Sequence, residues 1–170
     1  LYVFGRYAYV LNEGVLGNDF RIFDISNPAS PIEVGGIDLG TRGESIYVSG
    51  RYAYVLNDNN GITEDFIIYD ISNPASIATT SAINLGTAGY SVFVSGRYAY
   101  IVTNNIAGND FRIYDVSSPA SPILVGGANL GVAGYGVFVS GRRAYIGTVA
   151  VSGNEFKVFE LNGLETTSAI

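Results

Sequence analysis

The 170-residue chain contains no cysteine, histidine, methionine or tryptophan. Without cysteine it can form neither disulfides nor thiolate metal sites. Without histidine it lacks the commonest general base and the commonest zinc ligand. Charged residues make up only 14%, with 9 Lys and Arg against 15 Asp and Glu, for a net charge of −6. This acidic balance argues against a nucleic-acid partner, whose phosphates require basic patches.

Long apolar runs are also lacking. Hydrophobic residues make up 48% of the chain, which is too many for a disordered protein. No run approaches the ~20 apolar residues of a membrane span. No signal peptide is visible and the chain begins inside a repeat, so we expect a mature or cropped product.

The chain does contain one pattern repeated four times. The phrase SIYVSGRYAYVLN at 45–57 recurs as SVFVSGRYAYIVT at 91–103 and as GVFVSGRRAYIGT at 136–148. Glycines 5, 50, 96 and 141 mark the period, at spacings of 45, 46 and 45 residues. A period of this length with strand-like content is typical of radial or stacked arrays.

Each repeat predicts four short strands. In the second copy these are 45–49, 51–56, 66–71 and a strand within 77–85, separated by Ser-Gly, Asn/Asp-rich and Pro-containing turns. Four antiparallel strands with tight turns form a β-propeller blade. We therefore predict an all-β fold, a single β-propeller repeat domain over 1–170, with blades near 1–40, 41–86, 87–131 and 132–170. A parallel β-helix is the main rival, but its rungs are usually shorter, ~20–30 residues, and need no four-stranded meander.

Both ends of the chain coincide with predicted blade boundaries, and TTSAI at 166–170 repeats TTSAI at 79–83. Three interpretations follow: a segment of a longer propeller, a half-ring that pairs with a second copy, or a four-bladed unit, closed alone or added to a polymer. Open blade edges invite a partner, so we favour a segment or subunit of a larger assembly.

Two stretches carry a family resemblance: FRIFDISNPASPIEVGG at 20–36 and FRIYDVSSPASPILVGG at 111–127, each linked to a VSGRYAYV-type phrase. The chain resembles the LVIVD-repeat family of bacterial and archaeal surface-associated propeller proteins. The family's apolar strand ending in Asp falls at 22–24, 68–70 and 113–115, whereas the fourth copy departs with VFELNG at 158–163. The resemblance implies a secreted or cell-surface, non-enzymatic repeat protein with no defined ligand.

An arginine at the start of the second strand and an acid at the end of the third recur in every copy. An antiparallel hairpin brings these positions together, and a cross-strand ion pair stabilises by ~0.2–1 kcal/mol. Because catalytic sites are rarely present in every blade, we interpret the pairs as structural. The predicted pairs are Arg6 with Asp24, Arg51 with Asp70, Arg97 with Asp115 and Arg142 with Glu160.

Two groups of loop residues are candidates for binding. Oxygen-rich loops suit Ca²⁺, which takes 6–8 oxygen ligands; the candidate ligands are Asp58, Asn60, Glu64 and Asp65. Their spacing is not that of an EF-hand, and a hydrophilic turn is the alternative. Four residues of the loops leading into the first strands form a candidate site for a glycan or peptide, because tyrosine offers a stacking face and a hydroxyl; ordinary packing is the alternative. These residues are Arg42, Glu44, Tyr90 and Tyr135.

No nucleophile motif, phosphate loop or redox pair is present. We therefore predict a non-enzymatic, extracellular or cell-surface propeller that serves as a structural, adhesive or protein-interaction module, through self-association or other surface proteins. The alternative is a propeller that binds calcium or a carbohydrate, and a third is an enzyme of the lyase or glycosidase type. Apart from calcium, no cofactor is expected.

Overall fold

The computed structural model describes residues 1–13, 17–58, 64–104, 108–149 and 155–161. The chain divides into two compact units, Leu1–Ala88 and Gly89–Ile170. The described residues form strands and turns, as predicted for an all-β chain. No helix that could cross a membrane occurs in this part of the chain.

The first unit contains two four-stranded sheets. Sheet one comprises β1 (Tyr2–Phe4), β2 (Tyr7–Leu11), β3 (Phe20–Asp24) and β4 (Ile32–Ile37). Sheet two comprises β5 (Gly43–Ser49), β6 (Tyr52–Asn57), β7 (Phe66–Asp70) and β8 (Ala78–Ile83). In each sheet the strands pair antiparallel in chain order. This meander is the predicted propeller blade.

The second unit repeats the arrangement. Sheet three comprises β9 (Gly89–Ser95), β10 (Tyr98–Thr103), β11 (Phe111–Asp115) and β12 (Ile123–Ala128). The described strands of sheet four are β13 (Gly134–Ser140), β14 (Arg143–Thr148) and β15 (Phe156–Glu160). The fourth strand predicted for this sheet, at 166–170, lies outside the described residues.

A two-residue turn joins the first two strands of each sheet. In sheet two, Ser49 pairs with Tyr52, which leaves Gly50 and Arg51 as the turn. Gly50 has φ of +59°, and the same value recurs at the equivalent glycines. Hairpins of this length require positive φ, which glycine adopts without steric cost. The repeated Gly-Arg turn therefore fixes the register of every one of these hairpins.

Neighbouring sheets within a unit pack face to face. In the first unit, Tyr9, Phe20 and Ile22 of sheet one form one core with residues of sheet two, namely Ile46, Val48, Ala53, Val55, Tyr69 and Ile71. We call the side of a sheet that carries Phe20 and Ile22, or their equivalents in other repeats, its trailing face. The side that carries Ile46 and Val48, or their equivalents, is its leading face. In the second unit, the trailing face of sheet three packs in the same way on the leading face of sheet four.

Candidate functional site

The repeated arginine and aspartate lie together at the end of each sheet that carries the first hairpin turn. Salt bridges join Arg6 to Asp24, Arg51 to Asp70 and Arg97 to Asp115. Each guanidinium also lies over the ring of the tyrosine that follows it, 5.3–5.5 Å from the ring centroid. The arginines are exposed, so each pair is a surface salt bridge that links the first hairpin turn to the end of the third strand.

The aspartate of each pair also caps the turn after its strand. The second carboxylate oxygen accepts the backbone N–H two residues further on, at 2.9 Å from Ser26, 2.9 Å from Ser72 and 3.0 Å from Ser117. Hydrogen bonds from Arg6 and then Ser26 hold the pKa of Asp24 well below its usual range. Arg97 and then Ser117 lower the pKa of Asp115 similarly. For Asp70 the largest cause of the lowered pKa is Ser72, ahead of Arg51.

The fourth sheet contains a pair that was not predicted. A salt bridge joins Arg143 to Glu160, whereas the pairing of Arg142 with Glu160 stays a prediction. Arg143 stands directly opposite Glu160 in the strand register, at the position where the other repeats have tyrosine. The substitution thus places a second arginine, next to the repeated one, against the acid.

A buried aspartate ties the end of the loop before the third strand to the loop after the fourth. Asp65 is fully buried, and its Oδ2 accepts the backbone N–H of Leu85 at 2.9 Å. The contact recurs from Asp19 to Leu39 at 3.1 Å and from Asp110 to Leu130 at 3.2 Å. Asp65 is one of the candidate calcium ligands predicted from the sequence. The recurrence of aspartate just before the Phe of the first three third strands is the signal that could have shown a structural role.

The other calcium candidates do not converge in the described residues. Glu64 is exposed, and Asn60 lies outside the described residues. Asp58 forms a salt bridge with Arg42, with 3.1 Å between Oδ2 and a guanidinium nitrogen. Within the described ranges, no group of three or more acidic side chains is placed to hold a metal ion. Binding of calcium by this loop remains a prediction.

Arg42 forms salt bridges with three acidic residues. Besides Asp58, its guanidinium pairs with Glu13 at 3.0 Å and with Glu44. The hydroxyl of Thr41 also donates to the backbone oxygen of Asp58 at 2.9 Å. The predicted ligand-binding residues Arg42 and Glu44 therefore neutralise part of each other's charge and connect sheet one to sheet two.

The predicted residues Tyr90 and Tyr135 contact each other in the second unit. Their rings stack with centroids 5.1 Å apart and an interplanar angle of 27°. Tyr135 is 58% exposed, whereas Tyr90 is half-buried. One ring of the pair thus presents a surface to solvent.

The leading face of sheet one is uncovered. Leu1 is 79% exposed and Val3 is 55% exposed, whereas the equivalent residues of sheet two, Ile46 and Val48, are 7% and 1% exposed. The repeat alignment matches these residues in type as well as position. Residues that the repeat uses as core therefore face solvent in the first sheet.

The trailing face of sheet four shows the complementary exposure. Phe156 is 59% exposed, whereas its equivalents Phe20 and Phe111 are at most 1% exposed. Tyr145 stacks on Phe156, with centroids 6.2 Å apart, as Tyr100 stacks on Phe111 at 6.4 Å. Sequence analysis predicted open blade edges but not which side chains would be exposed.

Solved structures show the same fold. The computationally designed Ika8 protein is similar over 99% of this chain and 47% of that chain, with a TM-score of 0.74 and 8% identity. The designed Ika4 protein is similar over 76% of this chain and 72% of that one, with a TM-score of 0.56 and 8% identity. A chain of a nidogen/laminin complex is similar over 97% of this chain and 59% of that chain, with a TM-score of 0.64 and 10% identity. The chain thus spans about half the length of the Ika8 chain, and identities this low show the fold alone.

Sequence comparison identifies the family. No curated protein sequence matches the chain. The profile of the LVIVD repeat matches three times, at residues 1–38, 42–84 and 86–129. The three matches cover most of the chain and fall on the first three predicted blades, and the resemblance noted from the sequence is confirmed. The chain belongs to the LVIVD repeat family and has a β-propeller fold.

Proposed function

We propose that the chain is a non-catalytic protein-interaction module of a secreted or cell-surface protein, with a structural or adhesive role. The observation that carries the proposal is the exposure of Leu1, Val3 and Phe156 at positions that the repeat buries elsewhere. Burial of apolar surface is favourable by roughly 25 cal/mol per Å². Apolar patches that remain on a surface are typical of interaction sites.

Two further observations support this proposal. The residue types most used in acid–base, nucleophilic and zinc chemistry, histidine and cysteine, are absent from the sequence. A protein with a similar fold occurs in a complex between nidogen and laminin. The extracellular location is supported by the family resemblance and is tested by labelling intact producing cells with an antibody against the chain.

The experiment that tests the interaction module is a measurement of mass by light scattering over a wide concentration range. We expect wild type to exceed its monomer mass of 18.0 kDa and the Val3→Asp variant to associate less. Ser49→Asp is the matched control because Ser49 is also exposed and ends a first strand. If the wild type associates and Val3→Asp associates as strongly as Ser49→Asp does, the proposal that this face binds is contradicted.

A second candidate function is binding of a carbohydrate at Tyr135, supported by its exposed ring stacked on Tyr90. Sugar rings stack on aromatic faces because both surfaces are flat and apolar. Titration calorimetry against a glycan panel tests this candidate, with Tyr135→Ala expected to remove the heat. Phe156→Ala, at another exposed aromatic residue of the same unit, should leave it unchanged.

A further inference from the structure

The interface between consecutive sheets has a repeated aromatic centre. In the first unit, Tyr9 contacts Phe20 on the trailing face, and Phe20 contacts Tyr69 on the next leading face, with ring centroids 5.8 Å apart. In the second unit, Tyr100 stacks on Phe111, and Phe111 contacts Phe159 at 5.4 Å. A trailing Tyr–Phe pair and a leading aromatic ring therefore form a trio twice in the chain.

Sheets four and one carry the two halves of the same trio at the equivalent positions. Tyr145 and Phe156 form the trailing pair of sheet four, and their stacking at 6.2 Å is in place although Phe156 is exposed. Phe23 of sheet one occupies the position of Tyr69 and Phe159 but is only half-buried, with Arg21 lying over its ring at 5.0 Å. The described residues thus include both halves of this interface, with Phe156 exposed and Phe23 half-buried.

We propose that a second copy of this chain completes this trio, with Phe156 of one copy packed against Phe23 of the other. This inference rests on the proposed function and names its partner. Leu1 and Val3 take part as Ile46 and Val48 do between sheets one and two. Aromatic contacts of this kind stabilise an interface beyond the effect of the area that they bury.

A second copy is the occupant because the required surface already exists on the chain, matched in side-chain type and position to an interface that it forms twice internally. Such a contact is heterologous, pairing different faces of the two copies. Heterologous contacts close into rings or continue as filaments.

A complementation experiment tests the pairing. Val3→Asp damages the leading face of sheet one, and Phe156→Asp damages the trailing face of sheet four; both residues are more than half exposed, so each variant should fold. We expect each variant alone to remain at 18.0 kDa. An equal mixture should form a 36 kDa pair (twice 18.0 kDa), because one intact interface remains between the two variants.

The other outcomes overturn the inference. If the Phe156→Asp variant associates on its own as strongly as the wild type does, the trailing face of sheet four is not used. A wild-type chain that stays monomeric would exclude a second copy as occupant. If the wild type is monomeric but binds a different protein through Val3, the proposed function stands. If wild type and Val3→Asp bind every tested protein equally, the proposed function is contradicted too.

Cross-linking gives an independent readout, since the chain has no cysteine of its own. Phe23→Cys and Phe156→Cys variants are mixed and treated with a short bismaleimide reagent. We expect a cross-linked dimer in the mixture and little in either variant alone. Ser95→Cys mixed with Phe156→Cys is the control, because Ser95 is exposed on a different sheet. Equal yield in the control would overturn the inference.

Discussion

The backbone carbonyl of Pro74, in the turn between the last two strands of sheet two, packs directly on Gly35 of sheet one. A Cβ atom on Gly35 would overlap the Pro74 oxygen and lie 2.7 Å from its carbonyl carbon. Both partners are main-chain atoms, so neither can rotate away. The interface, rather than the dihedral angles of Gly35, is what requires glycine.

Gly35→Ala should therefore lower the free energy of unfolding by about 1–3 kcal/mol, the usual cost of overpacking. Urea unfolding measures the change. Gly136→Ala is the control, because Gly136 also lies in a strand but has nothing within 4 Å of its would-be Cβ. Equal destabilisation of the two variants would show that the contact with Pro74 is not the cause.

The buried aspartate provides a second prediction. Asp65→Ala should destabilise by about 1–3 kcal/mol, because the N–H of Leu85 would be left buried without its acceptor. Asp38→Ala is the control: its carboxylate also accepts a backbone N–H, that of Gly40 at 2.7 Å, but this contact lies within a single turn and the residue is exposed. We expect the control to change stability by no more than about 0.5 kcal/mol. Thermal or urea unfolding distinguishes the two.

Stability should fall in acid because the pKa values of Asp24, Asp70 and Asp115 are lower in the folded chain. A carboxylate of this kind contributes stability that is fully present above its unfolded pKa, about 3.9. That contribution is lost as the pH falls from there through the folded pKa. Urea midpoints measured between neutral pH and strong acid test the effect, and a midpoint that does not change over this range would contradict it.

Two arginine variants separate the causes of this acid sensitivity. Arg97→Gln should remove much of the pH dependence contributed by Asp115, whose lowered pKa is due first to Arg97. Arg51→Gln should remove less, because Ser72 is the larger cause at Asp70. Comparison of the slopes of unfolding free energy against pH tests the difference. If Arg51→Gln removes more of the pH dependence of the unfolding free energy than Arg97→Gln does, the assigned order of causes is contradicted.

Removal of Arg42 should expose the repulsion among Glu13, Glu44 and Asp58, which now share one guanidinium. We expect Arg42→Ala to lower the melting temperature at low ionic strength and added salt to restore part of the loss, since salt screens exposed charges. Arg112→Ala serves as a control, because Arg112 donates to a backbone oxygen, that of Asn109, and lies outside the group around Arg42. Salt rescue of both variants to the same degree would rule out the charge cluster as the cause.

Much of the fold could be predicted from the sequence because the turns are explicit. The strand predicted at 66–71 is observed as Phe66–Asp70, and the one at 51–56 as Tyr52–Asn57. The strand predicted at 45–49 begins two residues earlier, at Gly43, because a β-bulge between Gly43 and Ser45 extends the pairing. Glycines and prolines locate turns well, but a bulge leaves no comparable mark.

The candidate site was less predictable. Strand β6 appeared to alternate large and small residues, yet Ala53 through Asn57 are all buried. Likewise, Asp65 belongs by type to a hydrated loop, but the loop after the fourth strand covers it. The pair of Arg143 with Glu160 was not predicted because it depends on the strand register, which the residue types alone do not give and which places Arg143 opposite the acid.

The repeated hydrogen bonds described above join residues of one repeat: Arg6 donates to Asp24 eighteen residues on, and Asp19 accepts from Leu39 twenty residues on. None of these hydrogen bonds leaves its own repeat. Duplication of one repeat in the gene would therefore add a sheet that already contains these stabilising contacts. Lineages could lengthen or shorten the array by whole periods, with selection acting mainly on the aromatic contacts where one sheet meets the next.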